Sequence, residues 1–343
     1  MAAFMALLEQ EERKERRPRI FRDWNNPIDY MADVELIERH RMPKIKILEV
    51  VDLVRKDIES PTYRSHAIPA ILQVLVSLRY YAKGDFYSEV GDLHGISKAS
   101  VSRCITRVSK AIVSEMDNIK FPSTEAEMNV VKRGFYRIAK VPNVIGVVDG
   151  TLIPSIAPKE NEPAYVCRKG YHSLNIQAVV DHEMRFTNLV AKFPDSVHDS
   201  YIFSNSELGY FFEENNVDGW LLGDSGYGLK KYLLTPKLNP NTLAEEKYNK
   251  AHSKTRTIVE QAFGVCKSRY RCLHKTGGCL PFTPDKSAIV ETAVFKLHNK
   301  CIDDKLPFPD FTDDFIDNVD NHIRDIAPAT VQTLREHIIQ RFA

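Results

Sequence analysis

The sequence predicts an α/β protein: a mixed sheet flanked by helices, preceded by a helical region with a helix-turn-helix and followed by a helical C-terminus. Three observations carry this. Val144-Ile145-Gly146-Val147-Val148 and Trp220-Leu221-Leu222-Gly223 are short, mostly apolar runs of strand length, each ending in an aspartate. Asn175 to Asp181 and Thr187 to Phe193 alternate and suit a strand pair. Helical patterns lie between and after these runs, and strands mixed with helices indicate a sheet covered by helices.

Residues 1–60 read as helical and charged, with an apolar stripe at Ile45, Leu48, Val51 and Leu53 to Val54. Arg64 to Tyr81 reads as a largely buried helix, with Pro69 at a first-turn position where its missing N–H costs little. Tyr87 to Met116 reads as two helices joined by a tight turn. Gly95 supplies the left-handed stop, Ile96 plugs the turn and Ser97 caps the second helix. Val101, Ile105, Val108 and Ile112 make its apolar stripe, while Lys98, Ser100, Arg103 and Arg107 lie on the opposite face. This is a helix-turn-helix pattern, and Lys98, Arg103 and Arg107 are its candidate DNA contacts. The bland alternative is a helical hairpin that only packs.

Pro122 and Ser123 mark a break before a short helix around Val130 to Ala139. Tyr201 to Phe212 is helix-like, Leu243 to Tyr270 is a long helix, and helices close the chain at about Lys286 to Ile302 and Ala329 to Phe342. The expected organisation is an N-terminal helical segment (1–60), a helix-turn-helix-like domain (61–125), a catalytic α/β domain (140–280) and C-terminal helices with an acidic segment (281–343).

Of 343 residues, 43% are hydrophobic and 27% charged, a globular balance with enough apolar material for a core. The net charge of +1 conceals local contrasts. Arg13 to Arg22 and Lys254 to Lys275 each hold six basic residues and one acid, whereas Asp303 to Asp325 holds eight aspartates against Lys305 and Arg324. Basic runs suit phosphate backbones and acidic ones suit solvent or a basic partner, although such runs are often only solvated faces. Six scattered cysteines without a C-x-x-C pair read as reduced thiols. Cys266, Cys272, His274 and Cys279 depart from the usual zinc spacing, so ordinary thiols are the favoured reading. The N-terminus lacks a secretory signal, and no stretch approaches the roughly 18 apolar residues of a membrane span. The expectation is a soluble protein of nucleus and cytoplasm, without a membrane.

The chemistry centres on three acids. Asp149 and Asp224 follow buried runs, and sites in α/β sheets tend to lie at strand ends. Glu260 sits among apolar neighbours on a helix otherwise rich in Lys and Arg. Three carboxylates in one site repel unless a cation neutralises them. Hard oxygen ligands without clustered His or Cys favour Mg²⁺ or Mn²⁺, expected as a pair about 4 Å apart acting on a phosphodiester. Asp199 is a further candidate metal ligand, or else the N-cap of the following helix. His252 and Arg256 share a helix face with Glu260 and could touch phosphate or pair with acids. Gly223-Asp224-Ser225-Gly226 superficially matches a serine-protease nucleophile motif, but Tyr227 follows and the chain is helix-rich with scattered thiols.

Val148-Asp149-Gly150-Thr151, Gly223-Asp224-Ser225-Gly226-Tyr227 and Val259-Glu260-Gln261-Ala262-Phe263 resemble the three motifs of the PIF/Harbinger DDE transposases. Arg168 to Gln177, between the first two acids, and Lys267-Ser268-Arg269-Tyr270-Arg271-Cys272-Leu273, after the last, are similar to that family as well. The resemblance runs from about Gly95 to Cys301. It implies an RNase H-like core, a metal-dependent DNA endonuclease with Asp149, Asp224 and Glu260 as catalytic ligands, and a Myb-like DNA-binding partner protein. Arg168, Lys169, Lys267, Arg269 and Arg271 join the candidate DNA contacts. Family members include active transposases and domesticated relatives. Strand transfer after cutting therefore stays open, as does a non-catalytic DNA-binding or adaptor role. A homo-oligomer is compatible with the sequence, which does not set the oligomeric state. The acidic run is interleaved with Phe308, Phe311, Phe315 and Ile316, which suits docking on a basic, partly apolar partner or packing on the protein's own core.

Overall fold

The computed structural model describes residues 24, 26–62, 66–167, 169–309 and 327–343. Arg168, the basic run from Arg13 to Arg22 and most of the acidic run, including Phe311, Phe315 and Ile316, lie outside the described residues. Before the sheet the chain forms α1 (Asp33–His40), α2 (Lys44–Ile58), α3 (Ala70–Lys83), α4 (Tyr87–His94), α5 (Lys98–Glu115) and α6 (Glu125–Ala139). The stripe of α2 is rotated from its expected place: Ile47, Val50, Val51, Val54 and Ile58 are buried, while Ile45 is exposed. α6 starts at Glu125 rather than near Val130, because Thr124 and Glu127 close a capping box there.

The helix-turn-helix forms as expected. Gly95 is left-handed at φ 68°, a conformation that favours glycine, and Ser97 Oγ accepts from the Ser100 amide. Val101, Ile105, Val108 and Ile112 are fully buried. α5 is held from below: Lys296 donates to the carbonyl of Val113, and the hydroxyls of Tyr81 and Ser109 share a hydrogen bond of 2.5 Å.

The sheet comprises β1 (Val144–Pro154), β2 (Ser173–Val180), β3 (Phe186–Pro194), β4 (Trp220–Leu222) and β5 (Leu233–Leu234). Its order is β3-β2-β1-β4-β5, with β1, β2 and β3 antiparallel and β4 and β5 parallel to β1. That is the RNase H-like arrangement. β1 does not stop at Asp149; it continues to Pro154 because β2 pairs with it through Pro154↔Ser173. β4 ends at Leu222, opposite Val147, so β1 outruns it and leaves a notch.

Between β3 and β4 lie α7 (Asp199–Ser204) and α8 (Glu207–Glu214). The single helix expected over Tyr201 to Phe212 is split because Ser206 caps a new start, accepting from the Gly209 amide at 3.0 Å. Their Phe203, Leu208 and Phe212 pack with Tyr227 and Tyr232 on one face of the sheet, against Ile145, Val148, Val179 and Leu221. The other face carries Val144, Val147, Ile153 and Val180, in one core with Val259, Ala262 and Phe263 of α9 (Leu243–Arg269) and Val294 and Phe295 of α10 (Pro284–Asp303). That core continues without interruption into α2, α3 and α5, so the helix-turn-helix and the sheet share buried surface. α11 (Ala329–Gln340) closes the chain with Ile338 and Ile339 inside. Among the described residues, no helix is long and apolar enough to cross a membrane.

Candidate active site

The register of the sheet assembles the first two acids. Val147 pairs with Leu222, and Asp149 and Asp224 each lie two residues further on, so the parallel strands bring them to the same notch. Alternation along β1 puts Asp149 on the Val147 side, facing α9, and turns Gly150 toward α7. Asp149 Oδ1 accepts from the Gly150 amide at 2.9 Å. Asp224, beyond the strand, accepts from the Gly226 amide at 2.9 Å.

The third acid arrives through an arginine. Arg256 and Glu260 lie one turn apart on α9. Arg256 donates from Nη1 to Asp149 Oδ2 at 2.9 Å, and its Nη2 lies 2.5 Å from Glu260 Oε1. One guanidinium thus joins the acid of the strand to the acid of the helix, the pairing with acids that was one of the two readings of Arg256. His252, a turn earlier, is buried. Its Nε2 lies 3.2 Å from the Leu234 carbonyl, and burial lowers its pKa to about 4, so it makes no solvent-facing phosphate contact.

Asp199 is the first residue of α7, and its carboxylate does not cap the helix; His198 occupies the cap position. It accepts instead from Asn175 Nδ2 at 3.0 Å, while its main-chain carbonyl accepts from Gln177 Nε2 at 2.9 Å. Gln177 also donates to the buried Tyr227 hydroxyl at 2.9 Å. A Cβ on Gly150 would stand 2.7 Å from Asp199 Oδ1, so only glycine lets the two approach. Asp199 therefore reaches the notch from the sheet face opposite Glu260.

Burial raises the Asp149 pKa to about 8; Arg256 opposes this, and Asp224 and Asp199 reinforce it. Burial, then Asp199, raises Asp224 to about 6, and burial raises Asp199 as well. This pocket of mutually unfavourable carboxylates calls for positive charge. Its donors are oxygens alone, with the buried, unpartnered Asn175 Oδ1 beside them, and such a set suits Mg²⁺ or Mn²⁺. As the side chains stand, however, no three His, Cys, Asp or Glu among the described residues are grouped closely enough to hold an ion. Arg256 occupies the space between two of the acids.

The basic candidates divide. Lys98, Arg103 and Arg107 project from the exposed face of α5, and Arg103 donates to Ser100 Oγ at 3.2 Å. Lys169 is exposed. Lys267 and Arg269 depart from expectation: both are buried. Lys267 donates to the Leu152 carbonyl at 3.0 Å and Arg269 to the Pro307 carbonyl at 3.0 Å. The last turns of α9 run inside the core, so only Arg271 of that trio faces solvent. Asn175, Gln177, Tyr227 and Gly150 were not singled out for the site by sequence reasoning. Alternation along β2 placed Asn175 and Gln177 on one face, but only the fold shows what that face meets.

The DDE superfamily endonuclease family matches residues 148–299, which include Asp149, Asp199, Asp224 and Glu260. The chain is 38% identical over 274 residues to the human protein named "Putative nuclease HARBI1", covering 79% of this chain and 78% of that one. The mouse protein of the same name is 34% identical over 323 residues, covering 92% and 93%. "Protein ALP1-like" of Arabidopsis thaliana is 26% identical over 255 residues, covering 67% and 60%. No solved structure matches the chain. Placed beside an RNase H-like sheet whose neighbouring parallel strands β1 and β4 bring Asp149 and Asp224 to one notch, these similarities show that the chain belongs to the family of Harbinger transposase-derived nucleases within the DDE superfamily.

Proposed function

We propose that this chain is a metal-dependent DNA endonuclease with Asp149, Asp224 and Glu260 as its catalytic carboxylates. One observation carries the reading: the β1–β4 register sets Asp149 beside Asp224, and the Arg256 bridge ties Asp149 to Glu260. Asp149, Asp224 and Glu260, with Asp199 as a further oxygen donor, would hold one or two Mg²⁺ or Mn²⁺ ions, which supply Lewis-acid activation of water and of the scissile phosphodiester.

The protein's own residues do the rest. Gln177 and Asn175 fix Asp199, and Gly150 leaves it room beside β1. Lys98, Arg103 and Arg107 on α5, with Lys169 and Arg271, offer positive charge to a DNA backbone. Base selectivity from α5 is modest, since it carries few long side chains able to read bases. A Myb-like DNA-binding partner that adds selectivity, and residence in nucleus and cytoplasm, complete the proposal. Incubating the purified protein with supercoiled plasmid and Mn²⁺ tests it: nicked circles should form and EDTA should prevent them. DNA binding without cutting in either Mn²⁺ or Mg²⁺ would favour the adaptor role instead.

A further inference from the structure

Arg256 stands between Asp149 and Glu260 and contacts both. Its Nη1 takes Asp149 Oδ2 at 2.9 Å and its Nη2 takes Glu260 Oε1 at 2.5 Å. Asp149 Oδ1 is already accepting from the Gly150 amide, so both oxygens of Asp149 are engaged. The side chains of Arg256, Asp149 and Glu260 are 25%, 15% and 18% exposed, so water screens the cluster only partly. Charge-assisted hydrogen bonds of this kind are strong, and their geometry from one planar guanidinium is specific.

We infer that Arg256 is a built-in surrogate cation that holds the acid notch together without metal and must swing away from Asp149 and Glu260 for a divalent ion to bind. The inference rests on the metal-dependent reading above. It follows from charge bookkeeping at short range. An ion held by Asp149 and Glu260 would compete with Arg256 for carboxylate oxygens that Arg256 now uses. A guanidinium and a divalent ion cannot occupy the same few ångströms without strong repulsion. The two cations therefore compete, and competition is reciprocal: whatever Arg256 contributes to the metal-free protein is subtracted from metal affinity. The long side chain of Arg256 makes the exchange local, because a change of rotamer removes it while α9 stays packed through Val259, Ala262 and Phe263. The same account explains why the acids lie on adjoining elements yet form no group of three close enough for an ion among the described residues.

Binding distinguishes this role from that of a residue that merely positions phosphate. Free Mn²⁺ is followed by its electron paramagnetic resonance signal while wild type, Arg256→Gln and Arg256→Lys proteins are titrated, with melting followed in parallel. Without metal, Arg256→Gln should melt lower than wild type, because Asp149 and Glu260 lose the cation they share. It should nevertheless bind Mn²⁺ about tenfold or more tightly, since the ion no longer breaks charged hydrogen bonds. Arg256→Lys should fall between, keeping a charge but not the two-pronged bridge; it also serves if Arg256→Gln fails to fold. Mn²⁺ bound equally or more weakly by the folded variants would overturn the surrogate role and leave the metal-dependent reading intact. Mn²⁺ bound by none of the three proteins would sink both. Binding by the variants alone supports the surrogate role in its strongest form.

Discussion

Lys267 donates its Nζ hydrogen to the Leu152 carbonyl at 3.0 Å, which ties the end of α9 to β1 three residues beyond Asp149. A lysine in a basic run thereby becomes part of the scaffold. Lys267→Ala should cost about 1–3 kcal/mol in urea unfolding, because it removes the donor from a part-buried carbonyl and empties a buried side-chain site. The slope of log DNA affinity against log salt should not change. Arg271→Ala should do the reverse, keeping stability and flattening that slope by about one. A flattened slope for Lys267→Ala would return it to the DNA surface.

The helix-turn-helix separates packing from binding residue by residue. Ile105 is fully buried, so Ile105→Ala should cost about 2–5 kcal/mol of stability. Arg103 and Arg107 are exposed, so replacing both with Ala should leave melting within a degree or two. It should weaken DNA binding across sequences in a gel-shift titration. Unchanged binding would mark the element as a hairpin that only packs.

Gly150→Ala tests the approach of Asp199 to β1. The added Cβ would meet Asp199 Oδ1 at 2.7 Å and Asn175 Oδ1 at 3.1 Å, so the Asp199 carboxylate must move. We expect a loss of about 1–3 kcal/mol and of most cleavage. Full cleavage by a folded Gly150→Ala protein would remove Asp199 from the working site.

Glu291, on α10, gives a pH signature of its own. It is fully buried, neither carboxylate oxygen has a hydrogen-bond partner among the described residues, and burial raises its pKa to about 8. The folded state thus holds a proton that the unfolded chain releases near pH 4.5. Its contribution is present below that pH and is lost as pH rises toward 8. Denaturant unfolding at pH 5, 7 and 8.5 should therefore show Glu291→Gln flattening the decline seen in wild type. Parallel curves for the two proteins would contradict this.

Much of the architecture was legible because local chemistry and tertiary context agreed. Gly95, Ser97 and the Val101–Ile112 stripe specify a helix-turn-helix through a left-handed stop, a cap and a period, and all three appear as read. The strand cores were legible as apolar runs. Their lengths were not, since β1 extends to Pro154 only because β2 is there to pair with it. β5, two residues long, has too little pattern to announce itself. The three acids could be named from their surroundings, but their order in space depends on the Val147↔Leu222 register and on Arg256, both long-range. Lys267 and Arg269 misled for the opposite reason. Charge usually marks surface, and only the packing of α9 shows these cations turned inward onto main-chain carbonyls.

The most direct test of the central claim is Mn²⁺-dependent nicking by Asp149→Asn, Asp224→Asn and Glu260→Gln, each confirmed as folded by circular dichroism. Ligands that act together lose nearly everything when one is removed. We expect each variant to fall to the level of an EDTA control while still binding DNA in a gel shift. A folded single variant that cuts at near the wild-type rate would contradict the assignment of that acid, and three such variants would place the active site elsewhere.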